Sequence, residues 1–500
     1  MADESQLSPF VFALQGGLVL DRSTFTMEAG MAFELENFEP DPRGGYRRIN
    51  GFTKWNTNIV PQTANSGEAV LMSAFFKGSV IAARGEKVFK GASGSGSWTE
   101  IDTGRTNAGK FSHFKYNLGG TDFIVWADGA NHASKYDNST VTDLNGAGAP
   151  ANPKFVTSFK NSLFFAGMSA TPQEVVFTAP YSDTDFSTAS GAGSIGVDGK
   201  ITGLQPFRDA LYIFCEESIF KLVGNTSADY QLLPVTRELG CKNGDTIQEF
   251  AGNLVFLGPD GLRTVAGTEK IGDVDLGSIS SSIQQIFVDE TVVADFESVV
   301  IPEKTQYRIF FTKAAGDAER GIICVRKADK YEFSEFVGIR PSSTDSTIFE
   351  GASYVIHGGF DGFVFRQEQG NTFDGTTITG RFRSPDLTMG DAGIRKNFQR
   401  IILNYAPTGT VNADLFVRYD YEGPDTPRPD PYPFDSTSIV ALYGTATYGT
   451  VTYGGQSNPL VRQPVEGSGF AVALRVVDNG VSAPYSLKGF QLEFDAGARR

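Results

Sequence analysis

Hydrophobic and polar positions alternate most clearly near the start of this chain. In Phe33-Glu34-Leu35-Glu36, Phe33 and Leu35 share one face of an extended segment and the two glutamates share the other, the period of a half-buried strand. Pro40-Asp41-Pro42 then fixes φ and offers a side chain that can bond its own backbone. Gly44-Gly45 tolerates positive φ, so a second strand beginning at Tyr46 is expected to fold back as a hairpin. This pattern predicts elements built for pairing.

Beyond residue 65 the chain settles into units of roughly 30–45 residues, each reading strand, short turn, strand, strand. They fall at 72–102, 111–145, 155–190, 201–240, 246–278, 296–343 and 347–387. The units share no invariant motif. Neighbouring blades that bury each other's sheet faces explain such a recurrence, so the expected fold is all-β: an irregular six- or seven-bladed β-propeller over residues 66–389. An elongated β-solenoid is the alternative, but its coils are usually shorter and more regular. One insertion interrupts the series, where Ser278 is expected to cap a short helix with Ile279, Ile283, Ile286 and Phe287 on one face.

Pro385-Asp386-Leu387 and Gly390 mark a boundary, and strands follow at 401–405, 415–421, 470–477 and 487–494. Residues 390–500 therefore read as an additional C-terminal β-sandwich-like domain. It carries two biased segments. Residues 422–435 hold prolines at 424, 427, 429, 431 and 433, which favour an extended, exposed loop. Tyr443-Gly444, Tyr448-Gly449 and Tyr453-Gly454 recur every five residues, as a structural turn repeat or as an exposed contact loop.

Composition agrees with many turns separating aromatic-rich strands: 57 glycines and 41 phenylalanines stand beside 3 tryptophans, 6 methionines and 3 histidines. The formal charge is −15, and residues 1–390 hold 33 Lys/Arg against 47 Asp/Glu. Gripping nucleic acid needs clustered cations that release counterions, so duplex DNA is expected to pass without tight binding. The same acidity also serves simply to keep a protein dispersed. Cys215, Cys241 and Cys324 are widely spaced and are expected to be free thiols of a protein made in a reducing cytosol. Met1-Ala2-Asp3-Glu4 does not read as a signal peptide, and no membrane anchor is expected.

Candidate chemistry is sparse. His113, His132 and His357 lack metal-ligand spacing and are expected to be ordinary surface or strand residues. Residues 91–98, Gly-Ala-Ser-Gly-Ser-Gly-Ser-Trp, resemble a blade-closing Asp-box turn without its aspartate. Gly191-Ala192-Gly193-Ser194-Ile195-Gly196 fits a phosphate-binding spacing but has no βαβ context, so an inter-blade loop is expected there. Asp273, Asp275, Asp289, Glu290, Asp295 and Glu297 form the densest acidic cluster; a solvated face is the default and a Ca²⁺ site the alternative. No catalytic, cofactor-binding or metal-binding residue is assigned, and no enzyme or cofactor is expected.

One stretch carries a family likeness. Gly16-Gly17-Leu18, the run Glu34-Leu35-Glu36-Asn37-Phe38-Glu39-Pro40-Asp41, Gly44-Gly45, Arg47-Arg48 and Asn50-Gly51 together resemble the N-terminus of the tail nozzle proteins of short-tailed bacteriophages (podoviruses), also called tail tubular protein B or tail hub or stabilisation protein. A similar but weaker likeness covers Arg395-Lys396-Asn397-Phe398. The resemblance implies a hexameric ring of propeller subunits below the portal and adaptor rings, forming the channel for DNA ejection, with tail fibres or spikes attached. It implies a virion protein of the tail, made in the host cytoplasm. Residues 1–65 would then be an N-terminal docking segment, with Arg47, Arg48, Arg395 and Lys396 at subunit contacts. The competing reading is a glycan- or receptor-binding propeller tail protein acting through exposed aromatics; a propeller glycosidase is disfavoured by the missing catalytic spacing.

Overall fold

The structure is a computed structural model describing residues 8–61, 69–106, 109–265, 278–290, 296–311, 319–328, 330–422, 428–436 and 460–499. Seven sheet units form a β-propeller. Blades 1 to 4 are four-stranded antiparallel sheets of consecutive strands, at 72–102, 112–143, 155–196 and 201–236; blade 5, at 248–264, has three strands. Blade 6 spans 297–337 and blade 7 spans 341–367. Each blade packs on the next and blade 7 packs on blade 1, so the ring is closed.

Both faces of each blade are covered at its centre, which is why middle strands such as Ser79–Arg84, Ser162–Ala166 and Ala210–Cys215 read as near-continuous apolar runs. In Ser79–Arg84, Val80 and Ala82 enter the core shared with blade 7, while Ile81 and Ala83 enter the core shared with blade 2. A repeat hidden in the sequence lies at the end of the innermost strands. Phe76, Phe159, Phe207, Phe250 and Phe349 each close such a strand and lead into a two-residue turn, with Leu118 in the sixth case. The first turn residue is left-handed in all six: Lys77, Gly119, Lys160, Arg208, Ala251 and Glu350. Primed turns of this kind match the twist of the hairpin. In three of them the cation lies over the preceding ring, Lys77 at 5.3 Å, Lys160 at 5.5 Å and Arg208 at 4.8 Å from the centroid. Five of the seven units thus share a terminal aromatic before a left-handed residue, which varied turn chemistry disguises; blade 2 has Leu118 there and blade 6 leaves its first strand through the 3-10 turn Pro302–Lys304, so no motif is invariant.

The second module is a sandwich built from both ends of the chain. One sheet orders Phe38–Pro40, Tyr46–Arg48, Tyr485–Arg499, Ile394–Pro407 and Leu460–Pro464, with Ser8–Ala13 also paired to Tyr485–Arg499. The facing sheet orders Glu34–Glu36, Gly380–Arg383, Val472–Asp478, Val411–Tyr419 and Tyr432–Ser436. It continues into blade 6, because Glu36 pairs in parallel with Glu335. Asn37, at φ 56°, turns the chain from one sheet to the other; its amide donates to the Thr379 carbonyl at 2.8 Å. The Gly44-Gly45 turn and its hairpin form as expected, with Phe38 opposite Arg48. A Cβ at Gly45 would collide with the Leu487 carbonyl, and one at Gly17 would lie 2.7 Å from the Phe333 backbone.

Strand pairing corrects the expected boundaries. The stretch expected as an N-terminal docking segment, 1–65, is woven into both modules: 8–48 supply four sandwich strands, and Phe52–Lys54 completes blade 7 against Val364–Gln367. Gly380–Arg383, placed in the propeller, already belongs to the sandwich. Arg48 is fully buried, with Nε 3.2 Å from Asp478 and its other nitrogens donating to the Ser482, Ile378 and Gly480 carbonyls at 2.7–2.9 Å. Lys396 is likewise buried, donating to the Thr388 and Asp391 carbonyls at 2.6 Å. Both therefore bind within the chain, because an ordered cation there satisfies carbonyls that no strand pairs. Arg395 is exposed and bonds Ser468. Glu39, Lys304, Arg308 and Glu368 form a further buried cluster tying the N-terminal hairpin to blades 6 and 7.

Three local expectations also change. Ser278 does not cap the helix; it bridges Arg263, and a 3-10 turn at Ser281–Ile283 leads into the helix Gln284–Asp289, with Ile283, Ile286 and Phe287 buried as expected. Gly193–Gly196 is the outermost strand of blade 3, paired with Glu174–Phe177, not a loop. Within the proline-rich segment, Tyr432–Ser436 forms a sheet-edge strand, where a missing proline donor costs no ladder bond. The Tyr-Gly repeat lies outside the described residues.

Candidate functional site

The innermost strands of all seven blades line one central cavity of about 410 Å³. Strand edges and turn entries bring its charged groups there from distant parts of the sequence. Lys110, on the lead into blade 2, reaches across to Asp245 at 2.9 Å and to Glu297 of blade 6. Asp245 sits on a 3-10 turn whose entry is capped by Asn243, the side chain accepting from the Asp245 amide at 2.9 Å. Thr344 of blade 7 donates to Glu297 at 3.1 Å and to the Ser298 carbonyl at 2.8 Å.

A second node centres on Asp345 of blade 7. Its Oδ2 accepts from the Phe75 amide of blade 1 at 2.7 Å and from Lys115 of blade 2 at 2.6 Å, while His113 Nε2 lies 3.4 Å from Oδ1. Burial opposes its charge, but Lys115 and His113 outweigh burial and hold the carboxyl well below the usual range. Chemically, these contacts are struts: Lys110 faces Asp245 and Glu297, Lys115 and His113 face Asp345, and the bonds cross-link blades 1, 2, 5, 6 and 7 through the cavity. No local pattern announces this, since Lys110, Asp245 and Glu297 are brought together only by ring closure.

The other singled-out residues disperse. His113 lines the tunnel, whereas His132 Nδ1 lies 3.0 Å from the Pro150 carbonyl. His357 stacks on Phe365 with 5.0 Å between centroids, and burial pushes its pKa down to about 3. The three cysteines are buried and free; burial raises the thiols, Cys215 to about 11 and Cys241 to about 12, so none is an activated nucleophile. Trp98, at the end of the Asp-box-like loop, is buried and donates to the Asn58 carbonyl at 2.9 Å, a packing role. Of the acidic cluster, Asp273, Asp275 and Asp295 lie outside the described residues. Glu297 faces Lys110, Glu290 lies 3.8 Å from Arg320, and Asp289 accepts from Gln285, so these three diverge. Among the described residues no His, Cys, Asp and Glu group could hold a metal ion, and no helix is long and apolar enough to cross a membrane.

No family model and no curated protein matches the chain. Among solved structures, an ancestral GH74 enzyme is similar over 68% of this chain and 54% of its own, at 9% identity and a TM-score of 0.42. The extracellular domain of the BT4673 one-component system from B. thetaiotaomicron is similar over 63% of this chain and 40% of its own, at 7% identity and a TM-score of 0.40. The CNH domain of AfRom2 is similar over 64% of this chain and 99% of its own, at 9% identity and a TM-score of 0.40. The chain thus spans about half or less of the first two. Its own strand pairing makes it a seven-bladed β-propeller protein with an appended sandwich.

Proposed function

We propose that this chain is a structural subunit of a short-tailed phage tail, the nozzle, working as one of six copies in a ring through which DNA leaves the particle. The observation that carries this reading is where the resembling residues sit. Gly17 abuts Phe333 of blade 6 and Asn37 bonds Glu335 there, at the joint between sandwich and propeller, while Gly45 and Arg48 hold the sandwich together behind it. A subunit that must keep its shape while force and DNA pass beside it needs such a joint. The tunnel struts support the same role, since they stiffen each propeller, and the ring channel would then run between subunits. The acidic balance of residues 1–390 favours passage of duplex DNA over adhesion.

Electron microscopy of intact particles tests the proposal. Six copies around the tail axis are expected. Another copy number, or attachment away from the axis, rejects it.

A further inference from the structure

A small pocket of about 230 Å³ opens between blades 2 and 3, and its lining includes Tyr116, Asn117, Lys160, Asn161, Tyr181 and Asp183. Its floor is fixed. Tyr116 donates to Asp183 Oδ2 at 2.9 Å, Lys135 donates to the same oxygen at 2.6 Å, and Asp183 is buried. Asn117 is held at one side by its 2.7 Å bond to Asp122. Asn161, on the blade 3 turn, offers an exposed side-chain amide with no protein partner among the described residues.

Tyr181 is the unusual member. It is 75% exposed, although its backbone sits at φ 61°, a conformation uncommon for a bulky residue. The backbone is pinned there: its amide donates to the Asn161 carbonyl at 2.8 Å, and Ser182 bridges Ser162 in blade 3. The ring gains little burial in return, so the fold holds an aromatic face toward solvent beside a polar pocket. Strain of this kind points to function when a structural motive is missing.

We infer that this pocket is a saccharide subsite, taking one neutral hexopyranose unit. A pyranose presents C–H groups on a face that can stack on a tyrosine ring, and hydroxyls on its edge that pair with planar amides such as Asn161. The local cations are already matched, Lys135 by Asp183 and Lys160 by Asp209 at 3.6 Å, which disfavours an anionic sugar. The walls nearest Tyr181 are hairpin turns and offer no open strand edge for a peptide to extend. The site is independent of the nozzle reading.

The test is saturation-transfer NMR on the full chain with the methyl pyranosides of glucose, galactose and mannose, and methyl glucuronide as the anionic comparison. At least one neutral glycoside should bind. Tyr181→Gly, which removes the ring and accepts positive φ, and Asn161→Ala should each weaken that binding roughly tenfold or more, whereas Tyr181→Phe should retain it. Melting temperature read on the same variants shows that the fold survives, and Asn161→Ala carries the test should Tyr181→Gly melt early. No binding by any neutral glycoside, binding by the glucuronide alone, or undiminished binding by the folded variants overturns the assignment.

Discussion

Blades 1 to 4 and the sandwich solve the same problem, covering both faces of a sheet, with opposite wiring. Each of those blades is four consecutive strands joined by short turns, and its buried faces are covered by the units before and after it. The sandwich draws its strands from residues 8–48 and from 380 onward, and its core is continuous with that of blades 5 and 6. Local wiring lets each unit complete its strand pairing from consecutive residues. Distant wiring holds the sandwich hostage to both ends of the chain, and there Arg48 and Lys396 are buried, donating to carbonyls that no strand pairs.

Cutting the distant wiring should have the largest effect. Deleting residues 1–49 removes four strands and the Arg48 guanidinium, so the sandwich should lose cooperative unfolding while part of the propeller's β signal persists; calorimetry with circular dichroism reads both. A full native-like transition in the truncated chain would break the comparison.

Next comes Arg48→Met, which strands Asp478 as a buried, unpaired carboxylate. A loss of about 3–5 kcal/mol is expected in denaturant unfolding. The double variant Arg48→Met with Asp478→Leu should recover much of it, because the cost lies in the uncompensated charge.

Acid sensitivity comes third, and it separates two windows. His357 is held neutral down to about pH 3 by burial, while the unfolded chain protonates it near its ordinary value of 6.5. The unfolded state therefore binds the extra proton, and stability falls as pH drops from about 6.5 toward 3. His357→Gln should flatten the upper part of that decline in a pH series of melts. Glu368 acts lower: burial opposes its charge, but Lys304 and Arg308 hold its pKa below the usual 4.5, so its contribution is present above that value and fades as pH falls beneath it. Glu368→Gln should alter only this lower limb.

The smallest effect belongs to Arg381→Ala. Its guanidinium pairs with Glu36 at 2.9 Å but is 40% exposed, so solvent screening limits the loss to about 1 kcal/mol or less.

The alternation at Phe33–Glu36, the Gly44-Gly45 turn and the series of strand units were legible because each is set by neighbours in sequence. What escaped sequence reading was distant in sequence. Arg48 looks like a surface arginine until Asp478 arrives, and Lys110 becomes a strut only when blades 5 and 6 close the ring. The shared turn motif was missed for a different reason: a left-handed position filled by Lys, Arg, Ala or Glu carries no glycine to announce it. Tyr181 was missed in the same way, since its exposure depends on a backbone pinned by Asn161.

The junction at Glu36 and Glu335 has a mechanical consequence. The two strands run parallel, and Asn37 adds bonds to the Glu335 carbonyl at 2.9 Å and from the Val337 amide at 3.0 Å. A pull along these strands loads the bonds side by side, in shear, so they must fail together; a pull across them would open the seam one bond at a time. The joint is therefore anisotropic, stiff along one axis and weak along another, and the direction in which a neighbour tugs on the sandwich decides whether the chain resists or yields.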